Sequence, residues 1–365
     1  MKKILIMAGG TGGHVFPGLA VAKELTKNNE FEVLWLGTRE RMEARLVPQH
    51  GFKIEFIKIK GLRRNGLLRK IVSPFLVVRA VYEALGIIRK FKPDVVLGLG
   101  GYASGPGGIA AKILGIPLIL HEQNASPGVT NRILSKFADV VLLGFPGALT
   151  GKRTEYVGNP VREDVLNLNK ELPKNFDHEN LNVLVIGGSL GAQALNENIP
   201  EAVAIANRYG AKINITHQTG QGNSAGVTEV YKKLGVDHYT VTDFISDMAS
   251  AYKENDVIIC RAGALTLAEV SAAGMPAIFV PLPTAVDDHQ TKNARYLSDN
   301  GGAVCLPQSE LTPEKLADIL KDWSMNRNKI AQISQIAGKM AKLDATVCAS
   351  EVCRKMAGMA NDKRD

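Results

Sequence analysis

Glycine-rich segments follow predicted buried strands at three points of this 365-residue chain, at residues 9–14, 98–108 and 187–192. A glycine-rich turn between a strand and a helix exposes backbone N–H groups at the positive end of the helix dipole, which suits a phosphate. For one such turn alone, the alternative that glycine merely permits a tight turn is equally acceptable. The first and third segments occupy corresponding positions in the two halves of the chain, and this favours a ligand that carries phosphate.

Two common phosphate-binding classes do not fit these turns. The GxGxxG fingerprint of dinucleotide-binding proteins is absent, and the second predicted strand ends through residues 36–39 without a ribose-binding acid. The Walker A pattern also fails, because Lys152 is followed by Arg153 and the glycine spacing is wrong. No HxxxH, HExxH or DxD sequence indicates a metal site. We therefore expect neither a metal nor another cofactor.

Polar side chains also stand where another predicted strand ends, because the motif HEQN at residues 121–124 follows the apolar run 117–120. In an open α/β sheet, ligands bind at the carboxyl ends of the strands. His14 lies at the start of the first predicted helix, at this same edge. Since a free histidine has a pKa of about 6.5, its imidazole suits a general base. We expect His14 to be the base, with Glu122 in reserve.

The segment of residues 261–269 joins a predicted strand to a helix and has two interpretations. Thr266 and Glu269 have the spacing of a capping box, in which the glutamate would satisfy a backbone N–H at a helix start. Alternatively, a diphosphate lies at the helix N-terminus and the Glu269 carboxylate accepts hydrogen bonds from ribose hydroxyls. The sequence leaves both open.

Short apolar runs alternate with helical patterns along the chain, which predicts βαβ units and parallel sheets. The predicted strands occupy residues 4–7, 32–36, 95–99, 117–120 and 140–143, and then 183–186, 212–216, 238–242, 257–260 and 277–280. We predict an α/β protein with two Rossmann-like domains, at residues 1–160 and 161–340. A last helix, starting after Asp344 within residues 341–365, is expected to pack back on the first domain.

The composition favours a soluble globular protein, because 45% of the residues are hydrophobic and 22% are charged. The initial apolar run ends at Ala8, too early for a signal peptide, and no segment approaches the roughly 18 apolar residues that span a bilayer. The four cysteines form no CxxC pair, so we expect buried thiols in a reducing, cytoplasmic compartment.

Taken together, the glycine-rich and polar motifs resemble those of the bacterial peptidoglycan N-acetylglucosaminyltransferase family. The motifs are GGTGGHVFPGLAVA from Gly9, GLGGYASGPGG from Gly98, HEQN from His121, VGNPVR from Val157, GGSLGA from Gly187 and RAGALTLAE from Arg261. They cover nearly the whole chain, and only the last is shared widely among two-domain glycosyltransferases.

The resemblance implies the GT-B architecture, in which two Rossmann-like domains with parallel sheets face each other across a deep cleft. It implies inverting transfer of GlcNAc from UDP-GlcNAc to the 4-hydroxyl of the muramyl sugar of lipid I, the undecaprenyl-diphosphate-linked muramyl-pentapeptide. The product would be lipid II, for peptidoglycan synthesis.

Carried over motif by motif, the resemblance also implies the binding residues. The donor contacts are Thr11, Gly12, Gly13, Asn124, Arg162, Ser189, Ile245, Ala264, Leu265, Thr266, Leu267, Ala268, Glu269 and Gln290. The expected acceptor contacts are Gly101, Tyr102, Ser104 and Gly105. Residues 282–290 depart from the family pattern by one residue in length, which leaves His289 as an alternative to Gln290.

Two other functions remain open from the sequence. A UDP-GlcNAc 2-epimerase would use the same two-domain scaffold and the same donor, without an acceptor. A binding protein would hold the donor without catalysis, although the several polar strand ends argue against this.

The net charge of +8 is concentrated in residues 53–92, which hold eleven Lys or Arg against Glu55 and Glu83. Ser73 and Pro74 predict the start of a helix that runs to about Lys92. A lipid-linked acceptor requires contact with a membrane, so we expect peripheral association with the anionic cytoplasmic face of the plasma membrane. The expected contacts are Arg63, Arg64, Leu68, Arg69, Lys70, Phe75 and Leu76. A solvated helix face is the alternative, and nucleic acid is disfavoured because no aromatic stacking platform accompanies the charge.

Overall fold

The computed structural model describes residues 1–59, 67–151, 153–188 and 191–358, and it describes only the backbone of residues 67–74 and 286. The chain forms two compact units. Unit 1 comprises residues 1–162 and 342–365, and unit 2 comprises residues 163–341. The first division therefore falls two residues beyond the predicted end of the first domain.

Unit 1 is built on a seven-stranded sheet in which the paired strands are parallel. Its strands are β1 (Lys2–Ala8), β2 (Phe31–Gly37), β3 (Lys53–Phe56), β4 (Val95–Gly100), β5 (Leu118–Glu122), β6 (Val140–Leu143) and β7 (Thr154–Tyr156). The helices between them are α1 (Gly12–Thr26), α2 (Glu43–Gln49), α3 (Leu67–Phe91), α4 (Ser104–Ile113) and α5 (Val129–Leu134). The strand order is β3-β2-β1-β4-β5-β6-β7.

Unit 2 repeats this plan with a six-stranded parallel sheet. Its strands are β8 (Leu181–Ile186), β9 (Ile213–Gln218), β10 (Tyr239–Thr242), β11 (Val257–Cys260), β12 (Ala277–Phe279) and β13 (Val304–Cys305). Its helices are α6 (Glu163–Leu168), α7 (Gln193–Arg208), α8 (Ser224–Lys233), α9 (Met248–Glu254), α10 (Ala264–Ala272), α11 (His289–Ser298), α12 (Pro313–Met325) and α13 (Arg327–Lys339). The strand order is β10-β9-β8-β11-β12-β13.

A last helix, α14 (Ala345–Met356), returns to unit 1 and packs against α1. Arg354 fixes it there, since its Nε donates a hydrogen bond of 2.7 Å to the Glu30 carboxylate. The apolar side of the helix supplies Ala349 and Cys353 to the core of the same unit. The helix starts directly after Asp344, as predicted, and Asp344 is its N-cap residue, although its side chain makes no capping hydrogen bond to a backbone N–H.

The central strands are apolar throughout because helices cover both faces of each sheet. In β1, Ile4 and Ile6 belong to the core on one face, whereas Leu5 and Met7 belong to the core on the other. The strand order reverses beside β1, which pairs with both β2 and β4, and beside β8, which pairs with both β9 and β11. Crevices at such reversals are where open α/β sheets bind ligands. The first and third glycine-rich turns both stand there.

The predicted strands are confirmed to within two residues at each end, but three strands were missed. These are β3, β7 and β13, which lie towards the sheet edges and have two to four residues each. The predicted start of α3 is wrong, because the helix begins at Leu67 and Pro74 is its eighth residue. The residues before Pro74 include the good helix formers Leu67 and Leu68, so the helix forms despite the hydrogen bond that proline cannot donate.

Candidate active site

The glycine turn after β1 leads directly into α1. Thr11, the N-cap residue, has an extended backbone (φ −133°) and its side chain makes no capping hydrogen bond. Thr11 is exposed, and Gly12 and Gly13 are half-buried. Because the first amides of any helix lack an intrahelical acceptor, this end of a 15-residue helix offers N–H donors to an anion.

The buried carboxylate of Glu43, which the sequence analysis missed, fixes this turn by hydrogen bonds. Glu43 Oε2 accepts a hydrogen bond of 2.9 Å from the Gly10 N–H, and Oε1 accepts from the Thr38 N–H (3.0 Å) and hydroxyl (2.8 Å). An acid therefore does follow β2, but it binds the glycine turn and not a ribose. Its distance of 33 residues from Gly10 left no local signal for this contact.

His14 lies in the first turn of α1, where its ring bridges two glycine turns. Its Nδ1 is 3.0 Å from the Gly9 carbonyl oxygen, which can only accept, so Nδ1 carries the proton. In the neutral ring, Nε2 is then the basic nitrogen. A Cβ at Gly100 would lie 2.9 Å from Nε2, and Gly100 has a φ of +108°, so only glycine lets the ring approach the turn after β4 this closely.

Glu122, the reserve base, is buried at the end of β5 and both of its oxygens have donors. Oε1 accepts from the Asn124 N–H (3.0 Å) and side-chain amide (3.3 Å), and Oε2 accepts from the Gly128 N–H (3.1 Å) and Asn131 Nδ2 (2.9 Å). These four hydrogen bonds join Glu122 to the loop of residues 124–131 and fix the position of its side chain. Its role as the reserve base stays a prediction.

The adjacent His121 is fully buried, and this burial lowers its pKa to about 4. Its Nε2 lies 2.9 Å from the Gly158 carbonyl oxygen and must carry the proton, while Nδ1 accepts from the Gln123 amide at 3.1 Å. Neutral His121 therefore joins the end of β5 to the segment that follows β7.

The predicted acceptor contacts lie at the turn between β4 and α4, and they differ in whether their side chains or backbone are accessible. Tyr102 is exposed and lies under the Arg41 guanidinium, 5.5 Å from the ring centroid. Gly101 and Gly105 are half-buried. Ser104 differs from the prediction, because it is fully buried and its hydroxyl contacts the Met7 and Gly100 carbonyl oxygens and accepts from the Gly100 N–H. The structure assigns Ser104 to the support of the turn.

The remaining donor predictions in unit 1 lie near this edge. Asn124 donates to Glu122, as described above, and the Arg162 guanidinium lies 5.8 Å from the Phe16 ring centroid. Arg162 is the last residue of unit 1 before the chain enters unit 2.

In unit 2, the third glycine turn leads from β8 into α7. Gly187 and Gly188 follow the strand, and Gly191 precedes Ala192, the N-cap of α7. Ser189 lies outside the described residues. A Cβ at Gly191 would be 2.1 Å from the Thr219 carbonyl oxygen, and its φ is +77°, so the turn requires glycine at this close approach.

The segment after β11 rules out one of the two interpretations of Glu269. Helix α10 begins at Ala264 with Gly263 as N-cap, so Thr266 is its third residue and Glu269 its sixth. The capping-box alternative is therefore wrong, because it required Thr266 at the N-cap. The buried Glu269 carboxylate accepts a hydrogen bond of 3.0 Å from the Tyr252 hydroxyl.

Other predicted donor contacts of unit 2 surround this helix. Thr266 and Ala268 are half-buried, and Ala264, Leu265 and Leu267 are buried. Gln290 lies in the first turn of α11, where its Oε1 accepts from the Leu282 N–H at 2.9 Å.

The loop before Gln290 and the loop after β10 belong to the remaining predicted donor contacts of unit 2. Asp287 and Asp288 have left-handed backbones, with φ of 54° and 50°. Such conformations are strained for residues other than glycine and are concentrated at functional sites. Ile245 is half-buried, beyond the end of β10.

Within each unit, the predicted site residues that the structure describes thus lie at the carboxyl edge of the sheet. In the described part of the chain, no group of three or more His, Cys, Asp or Glu side chains is arranged to hold a metal ion. Over the same residues, no helix is both long enough and apolar enough to cross a membrane.

Family comparisons bear directly on these two units. Residues 4–143 match the glycosyltransferase family 28 N-terminal domain, and residues 182–347 match the C-terminal domain of the same family. The chain belongs to glycosyltransferase family 28. The expected enzyme class, and the α/β fold class with two Rossmann-like domains of GT-B type, are confirmed.

Individual members of the family are similar over the full length. A relative from Tolumonas auensis is 53% identical over 97% of this chain and 99% of its own, and it is named UDP-N-acetylglucosamine–N-acetylmuramyl-(pentapeptide) pyrophosphoryl-undecaprenol N-acetylglucosamine transferase. The crystal structure of MurG from Acinetobacter baumannii matches with a TM-score of 0.82 and 42% identity, covering 97% of this chain and 100% of that one.

A UDP-GlcNAc 2-epimerase from Neisseria meningitidis is similar in fold alone, with a TM-score of 0.68 at 15% identity over 97% of this chain and 100% of that one. The epimerase that the sequence left as an alternative is therefore similar to this chain in fold alone, whereas the transferases of family 28 are similar to it in sequence over the full length.

The burial of His121 predicts a loss of stability in mild acid. Its pKa is about 4 in the folded protein and about 6.5 in the unfolded chain, so below pH 6.5 the unfolded chain binds a proton that the folded protein does not. Stability is therefore fully present above pH 6.5 and is lost as pH falls towards 4, with a loss of about 2 kcal/mol between pH 7 and pH 5. His121→Gln should remove this contribution, measured as the change in urea unfolding free energy between the two pH values.

His50→Gln is the matched control, since His50 is half-buried in the same unit and its Nδ1 contacts the Leu46 carbonyl oxygen. The His50→Gln variant should show the same change in urea unfolding free energy between pH 7 and pH 5 as the parent. An unchanged pH dependence in His121→Gln would contradict the burial argument.

Proposed function

We propose that this protein transfers GlcNAc from UDP-GlcNAc to the 4-hydroxyl of the muramyl sugar of lipid I, with inversion at the anomeric carbon, and so forms lipid II. The observation that carries this proposal is the match over nearly the whole chain, at 53% identity, to a relative named for that donor and acceptor. The positions of the polar strand ends in both sheets support the same activity.

Unit 2 offers the features that a nucleotide-diphosphate donor requires. The amides at the N-terminus of α10 and the glycine turn after β8 suit the diphosphate, as preorganised donors that gain strength while negative charge develops on the departing UDP. The Glu269 carboxylate lies on α10, close to that N-terminus, and suits ribose hydroxyls. Its hydrogen bond from Tyr252 fixes the carboxylate without a metal ion.

In unit 1, His14 is suited to remove the acceptor proton. The muramyl 4-hydroxyl would give its proton to Nε2 while its oxygen attacks the anomeric carbon of GlcNAc and the bond to UDP breaks. The electron pair of that bond leaves with the diphosphate. The hydrogen bond from Nδ1 to Gly9 holds the ring in the tautomer that this step needs. The exposed Tyr102 and the N-terminus of α1 are the proposed contacts for the acceptor and its diphosphate.

The proposal is tested by UDP release with UDP-GlcNAc and a short-chain, water-soluble lipid I analogue. His14→Ala should lower kcat by roughly 10²- to 10⁴-fold, the usual contribution of a general base, and leave the Kd of UDP-GlcNAc nearly unchanged. His50→Ala should behave like the parent, because that histidine has a similar carbonyl contact outside the site.

A fully active His14→Ala would remove His14 from the role of base. Product formed from UDP-GlcNAc alone would favour an epimerase, and donor binding without UDP release would favour a binding protein.

A second prediction concerns Glu269. Glu269→Gln should raise the Kd of UDP by the equivalent of about 1.5 to 3 kcal/mol, because hydrogen bonds from the ribose to a charged group are lost. The matched control is Asp256→Asn, since Asp256 is a buried acid just before β11, at the opposite edge of the same sheet, where it accepts from the Asn182 N–H at 2.7 Å.

Isothermal titration of both variants with UDP, with unfolding measured in parallel, separates binding from stability. Asp256→Asn should lose stability without losing donor affinity. Equal UDP affinity in Glu269→Gln and the parent would exclude the ribose contact.

We further propose that α3 brings the enzyme to the cytoplasmic face of the plasma membrane. Phe75, Val78 and Tyr82 are 76%, 68% and 74% exposed, and their spacing places them along one side of the helix. Leu76 is partly exposed, and Arg79 follows Val78 on the same helix, where its Nε donates to the Glu83 carboxylate at 3.0 Å. Arg63 and Arg64 lie outside the described residues. Leu68, Arg69 and Lys70 lie in the first turn of α3, whose backbone alone is described. An exposed apolar stripe with neighbouring cations suits an anionic bilayer surface.

Replacing Phe75, Val78 and Tyr82 together by Ser should abolish sedimentation with phosphatidylglycerol vesicles, because the buried apolar area is lost. Raised salt should weaken binding of the parent, since about 1 M salt shortens the Debye length to about 3 Å. The control replaces Tyr209 and Met325, two exposed apolar residues of unit 2, by Ser.

The stripe variant should still use the water-soluble acceptor analogue. Unchanged vesicle binding by that variant would defeat the membrane proposal while leaving the transfer reaction intact.

A further inference from the structure

Gln218, the last residue of β9, makes an unusual set of contacts with the glycine turn after β8. Its side chain is buried, and Nε2 donates to the Gly188 carbonyl oxygen at 2.9 Å while Oε1 accepts from the Gly188 N–H at 3.2 Å. Its backbone carbonyl also accepts from the Gly187 N–H at 3.2 Å. One side chain therefore satisfies both polar backbone groups of Gly188.

The same amide reaches the loop that follows β10. Nε2 of Gln218 also donates to the Asp243 carbonyl oxygen at 2.9 Å, and the Gly220 N–H donates to that oxygen at 3.2 Å. The Asp243 carboxylate in turn accepts from the Gly222 and Ser224 N–H groups. Two residues further along this loop is Ile245, one of the proposed donor contacts.

Among the described residues, the other hydrogen bond to Gly188 comes from within the turn itself, where the Gly191 N–H donates to the Gly188 carbonyl oxygen at 2.9 Å. Gly188 has a φ of +83°, and a Cβ at that position would meet no atom of the described residues within 4 Å. Without a side chain, the residue cannot be fixed by packing, and glycine has the most backbone freedom to lose on ordering. Its position in the folded protein therefore depends on hydrogen bonds to its peptide groups, and in the described part of the chain Gln218 is the side chain that supplies them from outside the turn.

Only an amide side chain can make this arrangement. It must donate to two carbonyl oxygens and accept from one N–H, and this also fixes the orientation of the amide. A glutamate could accept but not donate, and it would place a negative charge against two carbonyl oxygens. A methionine has a similar length and could do neither.

We propose that Gln218 is a positioning residue, which sets the spacing between the glycine turn that receives the donor diphosphate and the loop that leads to Ile245. This inference rests on the proposed function, because it assigns the two loops to one UDP-GlcNAc molecule. A site whose donors are already in place binds its ligand without an ordering cost. Loss of Gln218 therefore weakens the donor in the ground state and the transition state alike, and it changes KM more than kcat.

The test compares Gln218→Met with Asn214→Leu. Asn214 lies on the same strand, and its Nδ2 donates to Asn182 at 2.8 Å near the other edge of the sheet. Gln218→Met should raise both the KM for UDP-GlcNAc and the Kd for UDP by about 10- to 100-fold, with kcat at saturating donor within about threefold of the parent. Asn214→Leu should leave all three values unchanged. A parent-like KM in folded Gln218→Met, or an equal rise in Asn214→Leu, would overturn the inference.

A second variant, Gln218→Asn, keeps the amide but is one methylene too short to reach both loops. It should show the same loss of UDP affinity together with faster amide hydrogen exchange in a peptide that covers residues 181–195. Unchanged exchange and unchanged UDP affinity would again overturn the inference. If the parent does not bind UDP, the proposed function fails. If the parent and both Gln218 variants bind UDP equally well, only the proposed role of Gln218 is defeated.

Discussion

Parallel strands that are covered by helices on both faces have room for polar groups only at their ends. In both units the central strands carry apolar side chains into cores on either side of the sheet, so their chemistry is confined to the carboxyl edge. The reversal of strand order beside β1 and β8 opens that edge to a ligand. The proposed substrate contacts in the glycine turns, α1 and α10 depend on this constraint, because these turns and helices follow directly on the strand ends at that edge.

A turn made of glycine then needs an external support, and the two units provide it differently. In unit 1 the support is the carboxylate of Glu43, and in unit 2 it is the amide of Gln218. Glu43 reaches the glycine turn from the start of α2, which follows β2, and Gln218 reaches it from the end of β9. Glu43 can only accept hydrogen bonds when it is a carboxylate, so it binds N–H and O–H donors, whereas the amide of Gln218 binds both the N–H and the carbonyl oxygen of one glycine.

The sequence predicted the central strands well because they are long apolar runs between clear helical patterns, as at residues 140–143 and 257–260. It missed β3, β7 and β13 because short edge strands carry no such pattern. Start signals misled at two helices. Ser73 and Pro74 have the form of a helix start inside α3, and Thr266 and Glu269 have the form of a capping box inside α10. Local spacing cannot show that a helix has already begun.

The residues that hold the glycine turns in place were harder to predict than the residues that are expected to contact the substrates. The partners of Glu43 and Gln218 lie 33 and 30 residues away, so no local spacing connects them. For Gln218 a weak signal did exist, since it is a polar residue near the end of a predicted strand, like residues 121–124. Glu122 shows that contacts of this kind also escape prediction, because its type and position suggested chemistry but did not reveal the four hydrogen bonds that join it to its loop.

His14 and His121 show how one edge of the sheet can hold two histidines in different environments. His121 is fully buried, and its pKa of about 4 keeps it neutral at physiological pH. The nearby His14 also contributes to lowering the pKa of His121, so a proton on His14 makes a second one on His121 still less favourable. His14 is half-buried, and its Nδ1 is occupied by Gly9. In the proposed reaction His121 would not receive the proton of the acceptor hydroxyl, because burial lowers its pKa to about 4 and both of its ring nitrogens are hydrogen-bonded.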